Sequence, residues 1–85
     1  MTDQEIRQAV LRRLTEVAPE ATPDQIKPAV NIRQQLDIDS IDLLKFLVSL
    51  HNEFAIEIPE RDYGKLMTVN DIVAYIAQLL RPTGR

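Results

Sequence analysis

The stretch Ser40-Ile-Asp-Leu-Leu-Lys-Phe-Leu-Val-Ser-Leu-His-Asn-Glu-Phe54 decides the fold. Its polar positions Asp42, Lys45, Ser49, Asn52 and Glu53 recur at helical spacing as a single stripe, and nearly everything between them is apolar. A strand would alternate with a period of two, and this stretch does not. A helix that is apolar around most of its circumference lies at the centre of a bundle or is covered in part by a partner. Ile41 and Leu44 read as anchors facing the core, which would turn Ser40, at the first position, outward.

Working outward, the segments on either side read as helices that need such a centre. Thr2 and Glu5 have capping-box spacing, and Ile6, Ala9, Val10, Leu14 and Val17 then recur every three or four residues, predicting a helix over 3–17. Pro19 and Thr22-Pro23 stop it, and the chain to Ile38 shows no sustained period, with Pro28 as a further breaker. A connection of this length is unusual unless pinned or functional. Val30, Ile32, Leu36 and Ile38 supply apolar anchors, so an ordered loop with one helical turn is expected. Downstream, Ile56, Ile58 and Pro59 form an extended link, and residues 60–65 a short helix that ends near Gly64. The last helix opens on Thr68 and Asp71 in capping spacing, runs through Val69, Ile72, Val73, Ile76, Leu79 and Leu80, and stops before Pro82. The expectation is an all-α bundle with three main helices, a short third helix and a long first loop. One domain over residues 1–81 and a flexible tail over 82–85 are expected.

Composition narrows the function. Eighty-five residues at 45% hydrophobic content build one core but no enclosed catalytic cavity. The chain has no cysteine and one histidine, His51, so it cannot make a disulfide framework, a thiolate metal site or a cysteine–histidine nucleophile from its own side chains. No catalytic residue is assigned, and His51 reads as a solvent-facing residue near a helix end. Asp37, Asp39 and Asp42 lack the carboxylate loop that cages calcium, so no intrinsic metal site is expected. The N-terminus lacks the apolar stretch of a signal peptide and no run is long enough to span a bilayer, which predicts a cytoplasmic protein without stable membrane insertion. A net charge of -3 argues against nucleic acid, which requires a basic footprint. The acids concentrate in residues 36–63, where Asp37, Asp39, Asp42, Glu53, Glu57, Glu60 and Asp62 face only Lys45 and Arg61. Such asymmetry steers a basic partner to one face.

The chemistry centres on Leu36-Asp-Ile-Asp39-Ser40-Ile41-Asp42, where a hydroxyl sits at the start of the strongest helix with an acid on either side. A helix N-terminus leaves backbone N–H groups unpaired and carries the positive end of the dipole, so it favours a phosphate attached there. On these three residues alone an ordinary N-cap, with Asp39 or Ser40 accepting from first-turn amides, is the preferred reading.

Further matches resolve the choice. Asp39-Ser40-Ile41, the acid at Asp42, the Glu53-Phe54 pair, Ile58-Pro59-Glu60 and the Thr68-Val69-Asn70-Asp71 start of the last helix together resemble the acyl carrier proteins, whose Asp-Ser-Leu signature opens the second helix. The resemblance covers most of the chain and implies a four-helix carrier domain. It implies that Ser40 receives 4'-phosphopantetheine from coenzyme A through a phosphopantetheinyl transferase, and that the arm's thiol bears acyl groups as thioesters. By the same resemblance Asp39 helps the transferase seat its substrate and Ile41 fills an apolar pocket on partner enzymes. Asp42 and Lys45 join them as partner-recognition residues. Acyl-loading and acyl-transfer enzymes are the other implied partners, with the carrier a monomer.

Lys45 and His51 stand where carriers of fatty-acid synthesis typically hold acids, and charge reversals on a docking face change partner choice. A specialised pathway is therefore expected. Two alternatives use the same residues: an aminoacyl or peptidyl carrier of nonribosomal synthesis, and an unmodified helical module that binds a partner helix through residues 41–54. Leu43, Phe46, Leu47 and Met67 read either as core or as the lining of a pocket for an acyl chain.

Overall fold

A computed structural model describes residues 1–81. Helix α1 spans Asp3–Val17, α2 is a single turn over Ile32–Gln35, α3 spans Ser40–Phe54, and α4 spans Val69–Leu80. Two stretches of tighter 3-10 helix, Pro23–Gln25 and Glu60–Lys65, lie in the connections. The short helix expected over 60–65 is thus present in 3-10 form. The long first loop holds two short helical pieces where one turn was expected. The tail expected over 82–85 lies outside the described residues.

The capping residues read from sequence start the helices. Thr2 Oγ1 accepts the Glu5 amide at 3.1 Å while Glu5 Oε1 accepts the Thr2 amide at 2.8 Å, which satisfies two of the donors a helix start leaves over. Thr68 Oγ1 accepts the Asp71 amide at 3.0 Å and does the same for α4. Helix α3 ends where Ala55 turns into the left-handed region, with φ 52° and ψ 47°. Its amide still reaches the His51 carbonyl, and so does that of Ile56.

Helix α1 packs against both α3 and α4. The core joins Ile6, Val10 and Leu14 of α1, Phe46, Leu47 and Leu50 of α3, and Val69, Ile72 and Ile76 of α4. Leu43, Phe46 and Leu47 belong to this packed core and Met67 packs against it, which favours the core reading of those four residues.

The long loop is pinned at its anchors. Ile26, Ile32, Leu36 and Ile38 are buried, the Ile32 amide donates to the Met67 carbonyl at 2.7 Å, and the Asn70 amide donates to the Pro28 carbonyl at 3.0 Å. Gln35 closes the loop on itself: its side chain accepts from the Lys27 amide and donates to the carbonyls of Lys27 and Val30. These bonds pin the loop without a sheet or a long helix.

One apolar expectation, Val30 as an anchor, is corrected. Val30 is exposed, because Gln35 engages its carbonyl and its side chain turns to solvent. Leu79 and Leu80 are exposed as well, since α4 runs past the elements that would cover its last turn. Leu80 lies beside Met1, Asp3 and Ile6, where α1 has only begun, and Leu79 lies beside Asp62 and Lys65.

Candidate functional site

Ser40 is the first residue of α3 and Asp39 is its N-cap. The Asp39 side chain accepts the Asp42 amide at 2.8 Å, and the Asp39 carbonyl accepts the Leu43 amide. Capping therefore falls to Asp39, and Ser40 Oγ is left exposed at the helix start. The cap and the outward hydroxyl, which competed in the sequence, belong to adjacent residues.

Ser40 faces outward for a different reason than expected. Ile41 is 65% exposed and Leu44 48% exposed, so neither anchors the helix. The buried side of α3 is formed by Leu43, Phe46, Leu47, Leu50 and Phe54, whose spacing of three and four residues fixes which face meets the core. Ile41, Leu44 and Val48 lie off that face and form an exposed apolar row running away from Ser40. Lys45 and His51 are exposed on the same helix, and Asp42 is partly covered. The residues read as partner contacts, Asp39, Ile41, Asp42 and Lys45, thus occupy the first two turns beside Ser40.

The sequence reading missed Arg33. Its Nη2 lies 3.5 Å from Ser40 Oγ, across the short link of residues 36–39 that joins α2 to α3. Seven residues separate the two, and no motif spacing links them. The available signal was that Arg33 is the only basic residue between Lys27 and Lys45.

Two acids of the acidic middle are engaged elsewhere. Glu53 receives Arg13 Nε at 2.6 Å and the guanidinium of Arg12, tying α3 to α1. Burial opposes ionisation of this carboxyl, but the hydrogen bond from Arg13 and the charges of both arginines outweigh it and hold it below its ordinary value. Asp62 accepts the Tyr75 hydroxyl at 2.7 Å and lies 3.3 Å from Lys65 Nζ. The hydrogen bond from Tyr75 lowers its carboxyl against a smaller effect of burial. Burial first, then this acceptor, push the Tyr75 hydroxyl up to about 12.

A bundle that presents a free serine hydroxyl at a capped helix start, with a cation beside it, has the form of a domain that bears a phosphate-linked group. Residues 4–76 match the family described as the phosphopantetheine attachment site. The chain is 33% identical over 76 residues to the meromycolate extension acyl carrier protein of Mycolicibacterium aurum, covering 86% of this chain and 78% of that protein. It is 33% identical to the acyl carrier protein of Campylobacter hominis, covering 89% of this chain and 90% of that one. The structure superposes on the acyl carrier protein of Enterococcus faecalis with a TM-score of 0.79 at 33% identity, covering 93% of this chain and 99% of that one. This chain belongs to the acyl carrier protein family.

Members of this family are carriers and not enzymes. The cofactor is a covalent 4'-phosphopantetheine, whose thiol holds acyl groups as thioesters for delivery to biosynthetic enzymes after a phosphopantetheinyl transferase has installed it. The residues present fit that group, since an exposed hydroxyl offers the ester oxygen and the guanidinium of Arg33 suits a phosphate anion. The thiol is one that a chain without cysteine cannot provide itself.

Proposed function

We propose that Ser40 is the residue that bears the arm and that the protein serves a specialised pathway through dedicated partners. The observation that carries the first part is the division of labour at the helix start: Asp39 caps α3, and the Ser40 hydroxyl is left exposed. In the loading step Ser40 Oγ attacks a phosphoryl of coenzyme A. The Oγ–P bond forms, the pyrophosphate bond breaks, the adenosine bisphosphate leaves, and the hydroxyl proton passes to a base of the transferase. Asp39 and Asp42 present the anionic edge that a basic transferase reads.

Support for specialised partners comes from the composition of the α3 surface, where Lys45 and His51 are exposed among apolar residues. The meromycolate extension carriers among the similar proteins are in keeping with this reading. No helix among the described residues is long and apolar enough to cross a membrane, and we place the carrier in the cytoplasm as a freely diffusing monomer formed by one domain over 1–81.

Incubation with a broad-specificity phosphopantetheinyl transferase and coenzyme A, followed by intact-mass measurement, tests the attachment. The expected result is a gain of one arm that Ser40→Ala abolishes. A chain that gains no mass overturns the proposal in favour of the unmodified helical module, and a gain that survives the substitution overturns it by placing the arm on another residue.

A further inference from the structure

We infer that Arg33 clamps the phosphodiester of the arm, so that the single turn of α2 serves as a phosphate grip for Ser40. The inference rests on the reading that Ser40 bears the arm.

The geometry is better suited to the loaded protein than to the bare hydroxyl. At 3.5 Å, Arg33 Nη2 sits at the outer limit of a hydrogen bond to Ser40 Oγ, and a neutral hydroxyl is a modest acceptor. A phosphate on Oγ would carry its anionic non-bridging oxygens two bonds from that atom, through phosphorus. The guanidinium fork, with five N–H donors, can meet them in charge-assisted pairs, which are shorter and roughly twice as strong as neutral ones.

Arg33 is also available for this role. Arg12, Arg13 and Lys65 are paired with carboxylates, whereas Arg33 forms no ion pair among the described residues. The acids flanking the serine in sequence, Asp37, Asp39 and Asp42, make its surroundings negative, and a phosphodiester adds a further negative charge. Between Lys27 and Lys45, Arg33 is the one cation the chain supplies to offset it.

The base of the side chain is held in place. Asn31 Oδ1 accepts the Arg33 amide at 2.8 Å and the Gln34 amide at 3.3 Å. The preceding residue, Ile32, is fully buried and bonded to Met67, and Gln35 ties the following turn to Lys27 and Val30. With the backbone already ordered, the grip costs only the rotamer freedom of one side chain. The root of the arm would be fixed while its thiol end stays free.

Nuclear magnetic resonance on wild-type, Arg33→Ala and Arg33→Lys proteins loaded by a transferase tests the inference, with intact mass confirming the load. In the wild type the Arg33 Nε–H resonance is expected to move between the unloaded and loaded forms, and to move back in part as salt rises and screens the pair. The phosphorus resonance of the loaded protein is expected to shift in Arg33→Ala. It should be restored only partly in Arg33→Lys, because an ammonium is a point charge without the planar fork. Wild-type protein that gains no mass overturns both this inference and the attachment reading. Loaded wild type whose Arg33 Nε–H is unmoved, or Arg33→Ala whose phosphorus resonance matches wild type, overturns the grip alone. The comparison of unloaded and loaded wild type needs no variant and so stands even where a substitution disturbs folding.

Discussion

The Asp39 carboxylate accepts the Asp42 amide at 2.8 Å and thereby takes the capping role that would otherwise occupy Ser40. Two properties of Asp39, its acceptor oxygen and its charge, are separable. Asp39→Ala removes both and is expected to cost about 1 kcal/mol in a urea melt, the usual loss for a cap. Asp39→Asn keeps a good capping oxygen, so its stability should stay within a few tenths of a kcal/mol of wild type. If the charge guides the transferase, Asp39→Asn lowers kcat/KM for loading while melting normally. Wild-type loading by Asp39→Asn would confine the residue to capping.

Glu53 offers a pH signature. Its carboxyl is held below the ordinary value of 4.5 in the folded protein, so its contribution is present at neutral pH and is lost as pH falls through the depressed folded value. Glu53→Gln should therefore lie about 1 kcal/mol below wild type at neutral pH, the upper end for a partly exposed pair. The gap should close in strongly acidic solution. Parallel melts from neutral to acidic pH check this, and a gap that does not narrow would show that the clamp with Arg12 and Arg13 acts through shape alone.

At the opposite end of the pH scale, Tyr75 titrates late. Its hydroxyl is raised from 10.0 to about 12, so stability tied to it is complete below the unfolded value and is lost as pH rises through the folded one. Ultraviolet titration of Tyr63→Phe protein reports Tyr75 alone. The expected midpoint is near 12, and Asp62→Asn should lower it by removing the anionic acceptor while leaving the effect of burial. A Tyr75 midpoint at the ordinary value would mean that the hydrogen bond to Asp62 does not persist in solution.

The three long helices were legible because each announces itself twice, by a cap and by a run of apolar residues. Thr2 with Glu5 and Thr68 with Asp71 mark starts that the hydrogen bonds reproduce. What escaped was set by tertiary packing. Periodicity shows that α3 is apolar nearly all round, but which side meets α1 and α4 depends on their placement, so Ile41 and Leu44 were assigned to the wrong side. Arg33 escaped because its approach to Ser40 depends on the path of the loop, which local pattern does not encode.

The end of α3 at Phe54 was legible from where the apolar pattern stops, although the left-handed residue that follows is Ala55 rather than glycine. A Cβ in that region costs roughly 1–2 kcal/mol, against which glycine's greater freedom in the unfolded chain must be set. Ala55→Gly is therefore expected to raise stability by up to about 1 kcal/mol, measured as an increase in Tm. A lower Tm would show that the alanine methyl group contributes packing that outweighs its backbone strain.

The exposed row Ile41, Leu44 and Val48 separates stability from recognition. Because Ile41 is 65% exposed, Ile41→Ala should change stability by no more than about 0.5 kcal/mol, yet it removes the exposed apolar side chain that follows Ser40 in sequence. Its loss should raise KM for acyl-loading and acyl-transfer partners. Lys45→Glu acts on charge: it makes the α3 face resemble the acidic face of fatty-acid carriers. With enzymes that read that face through basic patches, the substitution should lower KM several-fold at low salt, an advantage that fades as ionic strength rises. The dedicated partner should respond in the opposite sense, since a surface tuned to discriminate loses with one class what it gains with another. Kinetics of the two substitutions with both classes of enzyme check this. Equal KM values for wild type and Lys45→Glu across both classes would show that Lys45 takes no part in partner choice.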